Sequence, residues 1–256
     1  MRRIPVACAA ALGLLTVLVV LRWGPLIRLD TAVSDGARRF ALDHDGWRSA
    51  MSAITHSADT QVLLPVALLL AAVLLLRRWR TGLLFLLGTA VTATAVRLTI
   101  LTLVHRPRPV DRLTPTTGWA FPSGHTTSSA VTAGIVIVLG WAVLTGRWSR
   151  AALVAVAGGW AVLVGVSRVA LLAHWPTDVL GGWLLAIGVT VAFTRLLRVQ
   201  RSFSTGRPAS PPRDEGRSHR TEGSQECNTS QHRTHDGASS SSPPASAPDT
   251  TAPPPS

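Results

Sequence analysis

The sequence predicts an all-α fold: a bundle of six transmembrane helices followed by a disordered C-terminal tail. Three observations carry this. The apolar residues, 47% of the chain, are gathered in long blocks, the pattern of segments solvated by lipid. Arginines punctuate the ends of the blocks, where they anchor a chain to the membrane edge. After Gln200 the chain turns to Ser, Pro, Thr and charged residues with almost no large apolar side chain, so it cannot bury enough surface to fold. The net charge is +12, carried by Arg without any Lys, and it lies before Arg201. Such a balance also occurs in nucleic-acid binders. Here the arginines flank apolar segments, so the expected partner is the lipid bilayer and not nucleic acid.

Taken in order, Arg2-Arg3 and the block Val6–Leu21 have the layout of a signal peptide. No small-x-small cleavage pattern follows, and the block ends in Leu21-Arg22-Trp23-Gly24-Pro25, so a retained first helix is expected. Leu26–Asp59 is polar and mixed in charge, with Ala37, Phe40 and Ala41 at helical spacing. It predicts a short helix lying at the interface. Asp43-His44-Asp45 lacks the further ligands that a metal needs and reads as solvated. Residues 1–59 are thus a first transmembrane helix and an outer interfacial segment.

Residues 60–199 form the expected membrane core, with blocks Val62–Leu76, Leu83–Val104, Ser128–Leu144, Ala151–Val166 and Val179–Leu197. Crossing the hydrocarbon takes roughly 20 helical residues, so flanking residues complete the shorter blocks. Glycines inside the blocks, such as Gly88, Gly134, Gly165 and Gly182, allow helices to approach closely. Arg2-Arg3, Arg77-Arg78-Arg80, Arg147-Arg150 and Arg195-Arg198-Arg201 fall on one side, which the positive-inside tendency makes cytoplasmic. The first loop also carries Arg, there accompanied by Asp. The assignment puts both termini inside, and puts the loop His105–Pro122 and the join between Arg168 and His174 on the extracytoplasmic face of a multi-pass plasma-membrane protein. Residues 200–256 are expected to be a disordered cytoplasmic tail. Cys8 and Cys227 imply no disulfide framework.

Three polar clusters sit at the outer ends of these blocks, where lipid excludes such residues unless they have a task. Arg106-Pro107-Arg108-Pro109 is a rigid, cationic loop, since Pro fixes its own φ and restricts its predecessor. Arg108 and Arg168 are candidate phosphate ligands, because the guanidinium fork matches phosphate oxygens and stays charged; Arg106 is a third. Pro122-Ser123-Gly124-His125 opens a span. Ser123 is placed to cap the helix, the free N–H groups of its first turn attract an anion, and Gly124 permits close backbone approach. A cap does not account for His125; an unperturbed imidazole titrates near neutrality, which suits proton transfer. His174 and Asp178 lie one helical turn apart, with Pro176 between them. On one helix face, Asp178 accepts a hydrogen bond from one ring nitrogen of His174 and leaves the other to attack.

Arg-Pro, then Pro-Ser-Gly-His, then Ser167-Arg168 followed by His174 and Asp178, resembles the type 2 phosphatidic acid phosphatase (PAP2) family of membrane phosphatases, relatives of the vanadium haloperoxidases. The resemblance covers roughly residues 60–197. It implies that His174 is the nucleophile and passes through a phosphohistidine, that His125 is the general acid, and that Asp178 orients His174. It also implies phosphate binding by Arg108, Ser123, Gly124, Arg168 and Arg106, and catalysis without a divalent cation or other cofactor. The family's first motif begins with a Lys seven residues before the Arg of the final Arg-Pro; here that position is Leu101. Arg97 is one turn earlier on the same face, and helical side chains lean toward the N-terminus, so it is expected to point away from the outer face.

The expected function is hydrolysis of a lipid phosphate or polyprenyl diphosphate at the outer leaflet. Candidate substrates are polyprenyl diphosphate, phosphatidate and phosphatidylglycerophosphate. A phosphotransferase would use the same site with an alcohol or sugar as acceptor. A haloperoxidase fits less well, since a membrane-embedded site suits a lipid better than halide and peroxide. A non-catalytic lipid-phosphate-binding protein is the third reading, but relatives of that kind lack the histidines that stand here at 125 and 174. The oligomeric state is left open.

Overall fold

The computed structural model describes residues 3–197. The long apolar blocks contain residues of good helical propensity, and lipid leaves the backbone no partner outside the segment, so each block becomes a helix. The described residues form eight: α1 (Arg3–Val20), α2 (Gly24–Asp43), α3 (Asp45–His56), α4 (Thr60–Leu76), α5 (Arg80–Val104), α6 (Gly124–Val143), α7 (Arg147–Ala170) and α8 (Pro176–Leu196). They include no strand. Six stretches are long and apolar enough to cross a membrane, with α3 and α4 counted as the single stretch Asp45–Leu76. The expected tail, 200–256, lies outside the described residues.

The interfacial segment differs from expectation: it is two helices, not one. The chain breaks at His44 (φ −134°, ψ 83°), where the His44 ring stacks on Phe40 with centroids 4.1 Å apart. Ala41 is fully buried and Phe40 faces outward, so this pair is split between the two sides of α2. The buried face of α2 also carries Asp30 and Ser34, polar residues brought toward the bundle.

α6 is the centre of the bundle, packed against α5, α7 and α8, while α1 lies along α8. One apolar cluster joins α4, α5, α6 and α8 through Leu74, Phe85, Leu86, Val131, Ile135 and Ala186. Another seats Phe121 of the α5–α6 loop between α1 (Leu12, Leu15, Val19) and Leu185 of α8. Phe121 is completely buried and plugs the start of α6 into the bundle. Met51 of α3 packs on Ala170 and Leu171 at the end of α7. Outward-facing Leu64, Leu68, Leu69, Leu76, Leu103 and Val156 are exposed in the bundle, as lipid-facing side chains must be. The ends of α5 and α7, and the starts of α4, α6 and α8, share one face of the bundle. The arginines Arg77, Arg78, Arg80, Arg147 and Arg150 cluster at the other ends of these helices.

Close packing of α8 on α6 depends on Gly182. A Cβ built there would lie 3.1 Å from Thr126 Cβ and Thr127 Oγ1, and 3.2 Å from the Ser123 carbonyl. Backbone and β-branched neighbours on α6 have no room to yield. Gly182→Val is therefore expected to overpack the interface by about 1–3 kcal/mol and to displace the start of α6. Thermal unfolding in detergent should show a lower midpoint; a wild-type midpoint would mean that α8 can withdraw from α6 freely.

Candidate active site

The site is built where α7 turns into α8. α7 ends at Ala170, and Leu172 takes a left-handed conformation (φ 56°) that reverses the chain. The Arg168 carbonyl accepts from the N–H groups of Ala173 (2.9 Å) and His174 (3.2 Å). Arg168 and His174 are thus locked to the same helix end. Trp175 then caps α8: its N–H donates to Asp178 Oδ2 at 2.8 Å.

His174 is almost completely buried. Its Nδ1 is 2.8 Å from the Ala120 carbonyl, which can only accept, so Nδ1 carries the proton and Nε2 the lone pair. Asp178 Oδ2 lies 3.5 Å from Nδ1, too far for a good hydrogen bond. Asp178 therefore acts on the ring through charge, and the carbonyl of Ala120 sets the tautomer. The expected Asp178–His174 hydrogen bond is replaced because Pro176, not His174, begins α8, which leaves the two residues off a common helical face. Burial holds the imidazole pKa down at about 4, against the opposing pull of the Asp178 carboxylate. The ring is neutral, and its Nε2 nucleophilic, throughout the neutral range.

Arg106, expected among the phosphate ligands, is committed elsewhere. Its Nη1 donates to Asp178 Oδ1 and to Thr177 Oγ1, both at 2.6 Å, and its Nη2 donates to Asp30 Oδ2 at 2.5 Å. Asp30 also accepts from Thr177 N–H (3.0 Å) and Thr177 Oγ1 (2.6 Å). All these side chains are buried. The cluster sets one buried cation between two carboxylates, which holds Arg106 within the fold and fixes Asp178 beneath His174.

Arg108 stands beside His174. Nη1 donates to His174 Nε2 and to the Ala173 carbonyl, each at 2.8 Å. Nε and Nη2 donate to the carbonyls of Gly118, Thr117 and Trp119 at 2.9–3.1 Å. These bonds fold the α5–α6 loop around the guanidinium. Partial burial pulls the Arg108 pKa below its usual value, with Asp178 opposing, and the group remains charged at neutral pH.

Arg168 is buried and donates from Nη1 to Thr55 Oγ1 at 2.9 Å, while its Nε has no partner. Arg97 also lies at the site, contrary to the direction expected for it. A Cβ at Gly124 would be 2.7 Å from Arg97 Nη2, so the guanidinium rests on the bare backbone that opens α6. Its length lets it reach toward the C-terminal end of α5, and its buried Nε is unpartnered. Among the described residues, Arg97, Arg108 and Arg168 form no ion pair, whereas Arg106 has two.

Ser123 is the N-cap of α6, but its side chain does not cap the helix; its Oγ accepts from Thr126 Oγ1 at 3.0 Å. The first N–H groups of α6 therefore remain available to an anion. His125 follows on the same turn, with Nε2 2.8 Å from Asp59 Oδ1. Both histidines are within electrostatic reach of the same two guanidiniums, Arg108 and Arg168. An apolar groove leads away from this cluster: Arg97, Gly124 and His125 form one end, and Leu63, Ala67, Leu70, Val131 and Ile135 line its length.

Sequence reasoning missed Ala120, Asp30 and Asp59, and it named Arg97 but gave it the wrong direction. Ala120 acts through its backbone and leaves no trace in residue type. Asp30 and Asp59 each stand beside apolar residues in Leu-Asp and Ala-Asp, and a carboxylate that close to a membrane span is a usable signal. No group of three or more His, Cys, Asp or Glu residues among those described is placed to hold a metal.

Comparison with known proteins shows what the chain is similar to. A family model described as PAP2 superfamily matches residues 81–202. Phosphatidylglycerophosphatase B of Bacillus subtilis is 32% identical over 163 residues, covering 62% of this chain and 78% of the relative. A crystal structure of a transmembrane PAP2-type phosphatidylglycerolphosphate phosphatase from Bacillus subtilis superposes with a TM-score of 0.66 at 27% identity, over 76% of this chain and 96% of that one. Aquifex aeolicus LpxE shares the fold, with a TM-score of 0.51 at 19% identity, over 68% of this chain and 96% of that one.

Removing Arg106 leaves two buried carboxylates without a counter-charge. Arg106→Ala is expected to cost about 3–5 kcal/mol, read as a large fall in the unfolding midpoint of purified protein. Arg106→Lys keeps the charge but cannot fork to both carboxylates, so its midpoint should lie between. Equal midpoints for all three proteins would remove the cluster from the stabilising core.

Proposed function

The chain belongs to the PAP2 superfamily, and from that membership we propose that it dephosphorylates a lipid at the extracytoplasmic leaflet through a phosphohistidine on His174. The observation that carries this reading is the state of His174: buried, neutral, its Nδ1 proton held by Ala120, and its Nε2 lone pair facing guanidiniums that have no carboxylate partner. Such a cluster is incomplete without an anion, and it has the composition that a phosphate requires.

In the first step Nε2 attacks phosphorus, the bond from phosphorus to the lipid oxygen breaks, and His125 gives its proton to that oxygen. In the second step water attacks phosphorus and gives a proton to His125, and the N–P bond breaks. Inorganic phosphate leaves and both histidines return to their starting states. Arg97, Arg108, Arg168 and the start of α6 supply the field that stabilises the transferring phosphoryl group. Arg97 occupies the role that Leu101 cannot fill.

The groove running from His125 between α4, α5 and α6 supports a lipid over a soluble phosphate. Its ionisable groups, Arg97 and His125, stand at the catalytic end, the rest of its lining is mostly aliphatic, and it measures about 530 Å³, which suits a phosphate head with a hydrocarbon tail. The similarity to phosphatidylglycerophosphatase B favours a glycerolipid phosphate within that class. The arginines at the opposite ends of the helices favour an outward-facing site.

Two measurements test the reading. With a ³²P-labelled lipid phosphate and EDTA present, wild-type protein should form an acid-labile, base-stable label and turn substrate over, and His174→Ala should do neither. Label retained by His174→Ala would assign the nucleophile elsewhere, and loss of turnover in EDTA with recovery in Mg²⁺ would reject the cofactor-free scheme.

Sidedness is read separately. With the native cysteines replaced, Thr114→Cys in intact cells should react with an impermeant maleimide; reaction only after permeabilisation would place the site inside.

A further inference from the structure

Asp59 lies between α3 and α4, outside the three motifs. Its two oxygens are divided between two histidines: Oδ1 is 2.8 Å from His125 Nε2, and Oδ2 is 2.8 Å from His56 Nδ1. His56 is exposed, with 64% of its side chain open to solvent, while Asp59 is two-thirds covered. The carboxylate is thus held by an exposed histidine on one side and presented to the half-buried His125 on the other.

We propose that Asp59 is the positioning residue of the general acid, holding His125 as an imidazolium with the correct ring nitrogen toward the lipid oxygen. The inference rests on the reading of His125 given above. Its physical basis is the company that His125 keeps. Arg168 of α7 and Arg108 of the α5–α6 loop face it, and Arg97 of α5 shares its groove. Burial of the ring, and then Arg168 and Arg108, oppose a positive charge on it, and the carboxylates of Asp30 and Asp178 are spent on Arg106. Asp59 is the anion that remains to offset them, and a hydrogen-bonded carboxylate favours the charged imidazole.

The geometry also divides the ring's labour. Nε2–H stays on Asp59 throughout, so the ring cannot rotate and its tautomer is fixed. Nδ1, which has no hydrogen bond among the described residues, gives its proton to the lipid oxygen as the P–O bond breaks. It later takes one from the attacking water as the new P–O bond forms. Proton and electron counts close over the two steps without another donor.

The test uses full-length protein in detergent and two amphiphilic substrates. Decyl phosphate must leave as an alkoxide and needs the acid. A decyl-substituted nitrophenyl phosphate leaves as a stabilised phenolate and needs it little. Asp59→Asn is expected to lower kcat on decyl phosphate by about 10–100-fold, less than the roughly 10²–10⁴-fold for losing proton transfer outright, because the acid itself stays in place, and by less than about 3-fold on the aryl substrate. His125→Ala should show the same bias more strongly. The double variant should match His125→Ala on both substrates, because residues acting through one another are not additive. Asp59→Ser gives the same readout if the Asn protein does not fold. Equal losses on both substrates, or a full additional loss in the double variant, would reduce Asp59 to a structural role, and wild-type kinetics would give it none. If His125→Ala itself shows no leaving-group bias, it is the assignment of His125 that fails.

Discussion

The ion pair of Arg106 with Asp30 and Asp178 is the constraint on which the rest of the site depends. It ties three segments far apart in sequence: α2, the entry to the α5–α6 loop, and the first turn of α8. Burying three charges is costly, and the arrangement is tolerable because each is matched by short hydrogen bonds, with Thr177 supplying the remaining contacts. Once Arg106 is fixed, its carbonyl receives the N–H of Ala120, and Ala120 in turn holds the Nδ1 proton of His174. The orientation of His174 is thus inherited from a cluster that never touches substrate.

The same cluster sorts the charges at this end of the bundle. Two of its carboxylates are consumed away from the phosphate position, leaving guanidiniums with unspent donors around the histidines. A loop with Arg at both 106 and 108 achieves this because Pro107 separates them and sends one inward and one toward His174. Identical side chains two residues apart thereby take different tasks, one structural and one electrostatic.

The six candidate spans were legible in the sequence, and so was the gathering of the residues at 108, 125, 168, 174 and 178 at one end of them. Apolar blocks and charged exceptions to them are the strongest signals that a membrane protein offers. Three things were not. The division between Arg106 and Arg108 depends on where Asp30 arrives in space, and nothing local to the loop reveals that. The replacement of Asp178 by the Ala120 carbonyl as hydrogen-bond partner of His174 follows from α8 starting at Pro176, a shift of two residues in a boundary. The position of Arg97 follows from the descent of α6 onto α5 at Gly124, a tertiary approach that the intrinsic lean of a helical side chain does not report.

The contact of Arg108 with His174 Nε2 has a consequence for selectivity. In the free protein the reactive lone pair is masked, since it already accepts a hydrogen bond from a cation. A neutral ester or thioester that reached the groove would find the nucleophile quenched and would have nothing with which to draw the guanidinium away. A phosphate dianion carries its own inducement: its oxygens compete for Arg108 and expose the nitrogen in the act of binding. On the proposed mechanism an imidazole masked in this way needs no lid against adventitious acylation, because the charge of the substrate itself is the key that unlocks it.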